Sequence, residues 1–142
     1  MTEDGMKKLL CLLLVTAVIG SIFCACSASK EVYDFKKITS EEAKEKLDSG
    51  EYVFLDVRRD DEYAEGHIPG SINVAIDTSD VEIFKAAVVD ALPSKDAKIV
   101  VYCKAGFRSD IAAKAMCTLG YVEIYDMTDG MDGWKYETER EG

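Results

Sequence analysis

The chain has 142 residues, a length suited to one domain, and its 48% hydrophobic and 31% charged residues are ordinary for a globular fold rather than a disordered one. With 17 basic against 27 acidic residues the formal net charge is −10. That balance argues against nucleic acid and anionic membrane surfaces as partners and reads as a solubility feature.

The N-terminus differs in kind from the rest. Met6-Lys7-Lys8 is a short basic start, and Leu9 to Phe23 follows with no charge. A basic head, an apolar stretch and then small residues is the layout of a secretory signal, expected here over residues 1–25. The apolar stretch is short for a membrane span, which needs about 20 residues. Glu3 and Asp4 are foreign to a signal head, so translation is expected to start at Met6. The stretch ends in Ile22-Phe23-Cys24-Ala25-Cys26-Ser27, which resembles a bacterial lipoprotein lipobox. The resemblance implies lipid on Cys26, which follows Ala25, whereas Cys24 follows the bulky Phe23. Phe23 replaces the usual Leu of that motif. The chain is then expected to be exported and lipid-anchored to a bacterial cell membrane, at the cell surface or in the periplasm. Residues 26–37 would be the lipidated terminus and tether.

From Thr39 onward the patterns are those of a folded domain. Thr39-Ser40-Glu41-Glu42 reads as a capping box opening a helix that Ser49-Gly50 ends. Tyr52 to Leu55 is a short apolar run, expected of a strand buried on both faces. Asp60 to Glu65 reads as a helical turn, Gly66 to Gly70 as a loop and Ile72 to Ile76 as a strand. Ser79 is placed to cap a helix running to Leu92. Lys98 to Tyr102 reads as a third buried strand, Gly106 to Leu119 as a loop and helix closed by Gly120, and Val122 to Tyr125 as a fourth strand. Gly130 to Trp134 opens a last short helix, and residues 138–142 read as a polar tail. Strands alternating with helices predict an α/β domain over residues 38–137, with a mostly parallel sheet covered by helices on both faces. The functional crevice of such a sheet lies at the carboxyl ends of its strands.

At one such end stands Cys103-Lys104-Ala105-Gly106-Phe107-Arg108-Ser109, between a strand and a helix. Backbone N–H groups around a tight loop and at a helix start attract an anion, and Gly106 allows the turn. Lys104 and Arg108 add positive charge beside the sulfur, which favours the reactive thiolate. The only other cysteine in the folded part, Cys117, lies near the far end of the same helix. That is out of reach of a disulfide, so Cys117 reads as a small core hydrophobe.

The loop resembles the active-site loop of rhodanese-like sulfurtransferases, whose pattern is Cys, four residues and Arg, often with Gly in fourth place and Ser after the Arg. Leu55-Asp56-Val57-Arg58, Glu62-Tyr63 and Gly66 to Asn73 resemble that family's N-terminal signature. Gly130 and Gly133-Trp134 resemble its C-terminal one, with Asp129 where a first Gly is common. The resemblance implies a five-strand rhodanese-like sheet and a nucleophile and sulfur carrier at Cys103. It implies that Lys104, Ala105, Gly106, Phe107 and Arg108 bind the substrate, with Lys104 and Arg108 on a small anionic donor and a thiol or cyanide as acceptor. No metal or organic cofactor is implied. A redox or sulfur-relay protein is an expected partner, and the chain is expected to act as a monomer.

Asp56 is expected to support the loop by hydrogen bonding, Arg58 to pair with Glu62, His67 to cap or pack, and Trp134 to anchor the core. One His and two folded-part Cys do not make a tetrahedral zinc set. Two other functions compete. A persulfide relay or docking module would keep the fold without turnover. A phosphatase or arsenate reductase would carry a loop resembling His-Cys-x5-Arg, one residue longer, and here Tyr102 precedes Cys103.

Overall fold

The computed structural model describes residues 32–142 apart from Pro93. The expected signal, Cys24 and Cys26 lie outside the described residues. Five strands form one sheet: β1 Lys36–Ile38, β2 Val53–Asp56, β3 Ile72–Asn73, β4 Lys98–Tyr102 and β5 Glu123–Met127. Their order is β1-β5-β4-β2-β3, and every pairing is parallel. Between them run α1 Ser40–Ser49, α2 Asp60–Glu65, α3 Val81–Ala91 and α4 Phe107–Thr118, and α5 Gly130–Gly133 follows the last strand. The expected α/β architecture is present.

The central strands are apolar on both sides because both sides are covered. Ile99 and Val101 of β4 point to one face with Leu55, Ile124, Phe84 and Val88 of α3, and Ala112 and Met116 of α4. Val100 and Tyr102 point to the other with Phe54, Met127, Ala43 of α1, Ile68 and Trp134. Trp134 is the expected core anchor, and its indole N–H donates to Glu137 O at 3.0 Å. The two layers hold the C-terminal ends of β2 and β4 side by side, with Asp56 level with Tyr102.

Helix α1 starts as the sequence predicts. Glu42 N–H donates to Thr39 Oγ1 at 3.3 Å and Thr39 N–H to Glu42 Oε2 at 2.8 Å. Asp129, in the place of the family's glycine, adds a clamp: its Oδ2 accepts from Ser40 N–H at 3.1 Å and from Ser40 Oγ at 2.8 Å. The carboxylate sits where a side chain on Gly133 would have to go, since a Cβ there would lie 2.5 Å from Asp129 Oδ2.

Several expectations are corrected. The tether was expected to reach Lys37, but Lys36–Ile38 forms β1. Only Ile38 is buried there, so a charged edge strand has no apolar run to announce it. The strand expected over 72–76 is two residues long, because Asn73 turns its amide to Asp56 O and Arg58 O, at 3.0 and 2.9 Å. Ser79 does not cap α3. Its N–H and hydroxyl both go to Asp77 Oδ1, at 2.8 and 2.6 Å, and the helix starts at Val81. Strand β5 runs two residues further than expected and takes in Asp126. The polar tail is held: Glu139 exchanges backbone hydrogen bonds with His67 at 2.9 Å each way, and Glu141 N–H donates to Ala64 O at 3.3 Å.

Candidate active site

Cys103 follows β4 directly and is only 1% exposed, at the base of a loop that ends in α4. Its sulfur accepts the Gly106 N–H at 3.2 Å and lies 3.7 Å from the Ser109 hydroxyl, which also donates to Gly106 O at 3.2 Å. Gly106 has φ +89°, and a Cβ on it would lie 2.2 Å from Thr128 O. Only glycine meets both demands.

Helix α5 fixes the other side of the loop. Met131 N–H donates to Cys103 O at 2.9 Å and Asp132 N–H to Lys104 O at 3.0 Å. In a trans peptide the N–H points opposite to the C=O. The Lys104 and Ala105 N–H groups therefore turn away from α5, while Gly106 N–H meets the Cys103 sulfur. The close approach needs Gly130, where a Cβ would lie 2.4 Å from Lys104 O. The exposed side chains of the loop are Lys104, Ala105 and Phe107, the last 72% exposed.

The expected pairing of Arg58 with Glu62 is replaced by two separate pairs. Arg58 folds back on Asp56, with Nη2 2.7 Å and Nε 3.1 Å from Oδ2. It also donates through Nη2 to Gly66 O at 2.7 Å, while Asp56 Oδ1 accepts Arg58 N–H at 2.9 Å. Two residues of spacing at a buried strand end suit this compact ring better than a reach to α2. Asp56 thus supports the loop after β2, not the cysteine loop. Glu62 receives Arg108 instead, through two parallel hydrogen bonds of 2.7 and 3.0 Å. The Arg108 guanidinium holds the Glu62 carboxyl down at about 2, against the usual 4.5. Arg108 therefore ties the cysteine loop to α2, and Lys104 is the cation of the loop without an ion pair among the described residues.

His67 packs, as expected. Its ring stacks on Tyr63 with centroids 3.7 Å apart, and Nδ1 donates to Tyr63 O at 2.9 Å. Behind it the buried Tyr102 hydroxyl donates to Ser71 Oγ at 3.0 Å and accepts Ile68 N–H at 3.1 Å. Burial pushes that phenol far above its ordinary value. Cys103 and Cys117 are both free thiols. Cys117 is half-buried, with its sulfur 3.8 Å from Asp34 O, and burial raises it.

A rhodanese-like domain model matches residues 39–137, nearly all of the described chain. This chain belongs to the rhodanese-like domain family. A putative sulfur carrier protein of Bacillus subtilis, YrkF, is 33% identical over 79% of this chain, which spans 57% of that protein's length. The crystal structure of a rhodanese-related protein from Thermoplasma volcanium superposes with a TM-score of 0.61 at 29% identity, over 75% of this chain and 99% of that one. A thiosulfate sulfurtransferase structure from Pseudomonas aeruginosa gives 0.63 at 27% identity, over 75% of this chain but 20% of that one. The rhodanese-like relatives thus include both a putative sulfur carrier and a thiosulfate sulfurtransferase.

Three residues around the cysteine loop and its helix were outside the predicted set. Ser109 was within reach of sequence reasoning, as the serine that follows the arginine. Glu62 was tied to the wrong arginine. Asp126 carried one signal only, an acid on the Ile124 side of an apolar strand.

Proposed function

We propose that this protein is a sulfurtransferase that moves sulfane sulfur through a persulfide on Cys103. The observation that carries this reading is the Cys103 sulfur itself, buried at the base of a loop and accepting Gly106 N–H at 3.2 Å. The Cys103 thiolate attacks the outer sulfur of a donor such as thiosulfate. The donor's S–S bond breaks, sulfite leaves with the electron pair, and the new persulfide carries the negative charge. Cyanide or a thiolate acceptor then takes the outer sulfur, the Cys103–sulfur bond breaks, and the thiolate returns. The N–H groups of the loop are suited to an anion that gains one more atom of length in the persulfide. Lys104 draws in the anionic donor, and the exposed Phe107 offers an apolar rim to the acceptor.

Thiosulfate-to-cyanide turnover by the purified domain tests this, with mass spectrometry of the Cys103 peptide for one added sulfur atom. A second reading, a persulfide carrier without turnover, is favoured by the near-complete burial of Cys103 and by the Bacillus relative. Under that reading the added sulfur appears and cyanide turnover does not. We further propose that Cys26 carries the lipid that anchors the chain outside the cytoplasm.

A further inference from the structure

Asp126 is fully buried in β5, and neither of its carboxyl oxygens has a hydrogen-bond partner among the described residues. It lies on the α4 side of the sheet, in line with Ile124, under the helix that begins at the cysteine loop. A carboxylate in such a place costs several kcal/mol unless it is paired or neutral. From β4 the facing residue is Val101, which is apolar. From β1 it is Lys37, whose ammonium goes 3.1 Å away to Asp110 Oδ1. From α4 come Ser109, Asp110 and Lys114, and Lys114 too is spent on Asp110, at 2.6 Å. Both nearby cations are thus committed to Asp110. Among the described residues, the polar neighbour left to Asp126 is the Ser109 hydroxyl, the same group that lies 3.7 Å from the Cys103 sulfur.

We propose that Asp126 is a positioning residue that sets the pH dependence of Cys103 reactivity through the Ser109 hydroxyl. A hydroxyl has one hydrogen and turns it toward the strongest acceptor in reach. With Asp126 neutral, Ser109 directs its hydrogen to the Cys103 thiolate or to Gly106 O. With Asp126 ionised, the hydrogen swings toward the carboxylate, and a second buried negative charge opposes the thiolate. Burial raises Asp126 above the ordinary carboxylate range, in keeping with a group that stays neutral where other carboxyls ionise. The inference rests on Cys103 being the reactive thiol, and not on which sulfur donor it uses.

The test is the rate of Cys103 alkylation by iodoacetamide as a function of pH, read on the Cys103 peptide by mass spectrometry. This readout survives even if no sulfurtransferase activity is found. Wild type is expected to rise with pH more gradually than one ionisation allows. Asp126→Asn removes the charge while keeping shape, and should give a single steeper step with about three- to tenfold faster alkylation below the wild-type midpoint. Asp126→Val should give the same profile, and it serves if the Asn variant does not fold. In a Ser109→Ala background the gain from Asp126→Asn should fall by at least half. A merely structural Asp126 would shift the thermal melt and leave the profile alone. Superposable profiles for wild type and both variants, or an undiminished gain without the Ser109 hydroxyl, would overturn the proposal.

Discussion

Arg108 and Glu62 stand 46 residues apart in the chain and are joined by a two-pronged ion pair of 2.7 and 3.0 Å. One belongs to the helix that follows the cysteine loop, the other to the short helix after β2. The pair fixes the spacing between the two strand ends that border the candidate site. An arginine held this way has fewer free N–H groups for a substrate than one that points into open solvent. Arg108→Ala and Glu62→Gln are therefore expected to act alike. Each should lower sulfur transfer from thiosulfate and from a neutral persulfide donor by similar factors. The double variant should be little worse than either single one, with a coupling of about 1–2 kcal/mol in a thermodynamic cycle. Steady-state kinetics with both donors check this. A selective loss with thiosulfate would place Arg108 on the donor instead.

The same pair has a pH signature. Glu62 is held at about 2 against the usual 4.5, so its contribution to stability is present in full above 4.5. It is lost progressively as pH falls from 4.5 toward 2, where the carboxyl takes up a proton in the folded chain. Thermal melts of wild type and Glu62→Gln should differ most above pH 5 and converge near pH 2. Asp126 has the opposite sign. Its raised value means stability is lost as pH climbs above the ordinary carboxylate range, so Asp126→Asn should melt above wild type at neutral pH and level with it in acid.

Gly106→Ala should be among the most damaging single changes in the loop. The φ of +89° strains any side chain, and the added carbon would meet the Thr128 carbonyl at 2.2 Å, where backbone rather than a flexible tip must give way. A cost of about 2–4 kcal/mol follows from strain and overpacking. The Gly106 N–H that meets the Cys103 sulfur would move with it. A lowered melt and a collapse of transfer together are the expected result. Gly50→Ala has the same sign of φ, +70°, but open space around it, so it should cost about 1 kcal/mol and leave transfer intact.

The sheet, the helices and the cysteine loop were legible because each rests on a local signal. Tyr52 to Leu55 and Lys98 to Tyr102 are unbroken apolar runs, Thr39 and Glu42 form a capping box, and Cys103 to Ser109 is a contiguous motif. What was not legible depends on which of several possible partners the folded chain brings together. Lys36 and Lys37 look like linker until β5 lies alongside them. Ser79 looks like a cap until Asp77 takes its N–H. Arg58 and Glu62 look like partners at short range, and only the fold reveals that Asp56 is nearer to one and Arg108 to the other. Asp126 was hidden for the same reason: its burial is made by α4, not by its own strand.

Lipid attachment at Cys26 is proposed from Lys7-Lys8, the apolar run and Ala25-Cys26. A diacyl anchor supplies the two chains that stable membrane residence requires. Cys26→Ser should release the protein into the soluble fraction or block its processing, as followed by fractionation of cells expressing the full chain. Membrane residence of a normally cleaved Cys26→Ser protein would sink the idea.

Cys103→Ser should abolish sulfur transfer and keep the fold. The hydroxyl is nearly the size of the thiol, and the site already offers Gly106 N–H and the Ser109 hydroxyl to a polar atom. Oxygen there cannot form the persulfide, and the loop cannot ionise a hydroxyl. A melt within a few degrees of wild type with transfer reduced at least a thousandfold is expected. Cys117→Ser is the control. Its sulfur is half-buried beside Asp34 O, at the opposite end of α4, so chemistry should be untouched while stability falls by about 1 kcal/mol. Rates and melts for both variants decide the matter together. If Cys103→Ser still transfers sulfur near the wild-type rate, or Cys117→Ser loses transfer with its melt unchanged, the sulfur carrier is not Cys103. The buried sulfur at the head of α4 would then be a packing group in a loop whose N–H groups serve some other anion.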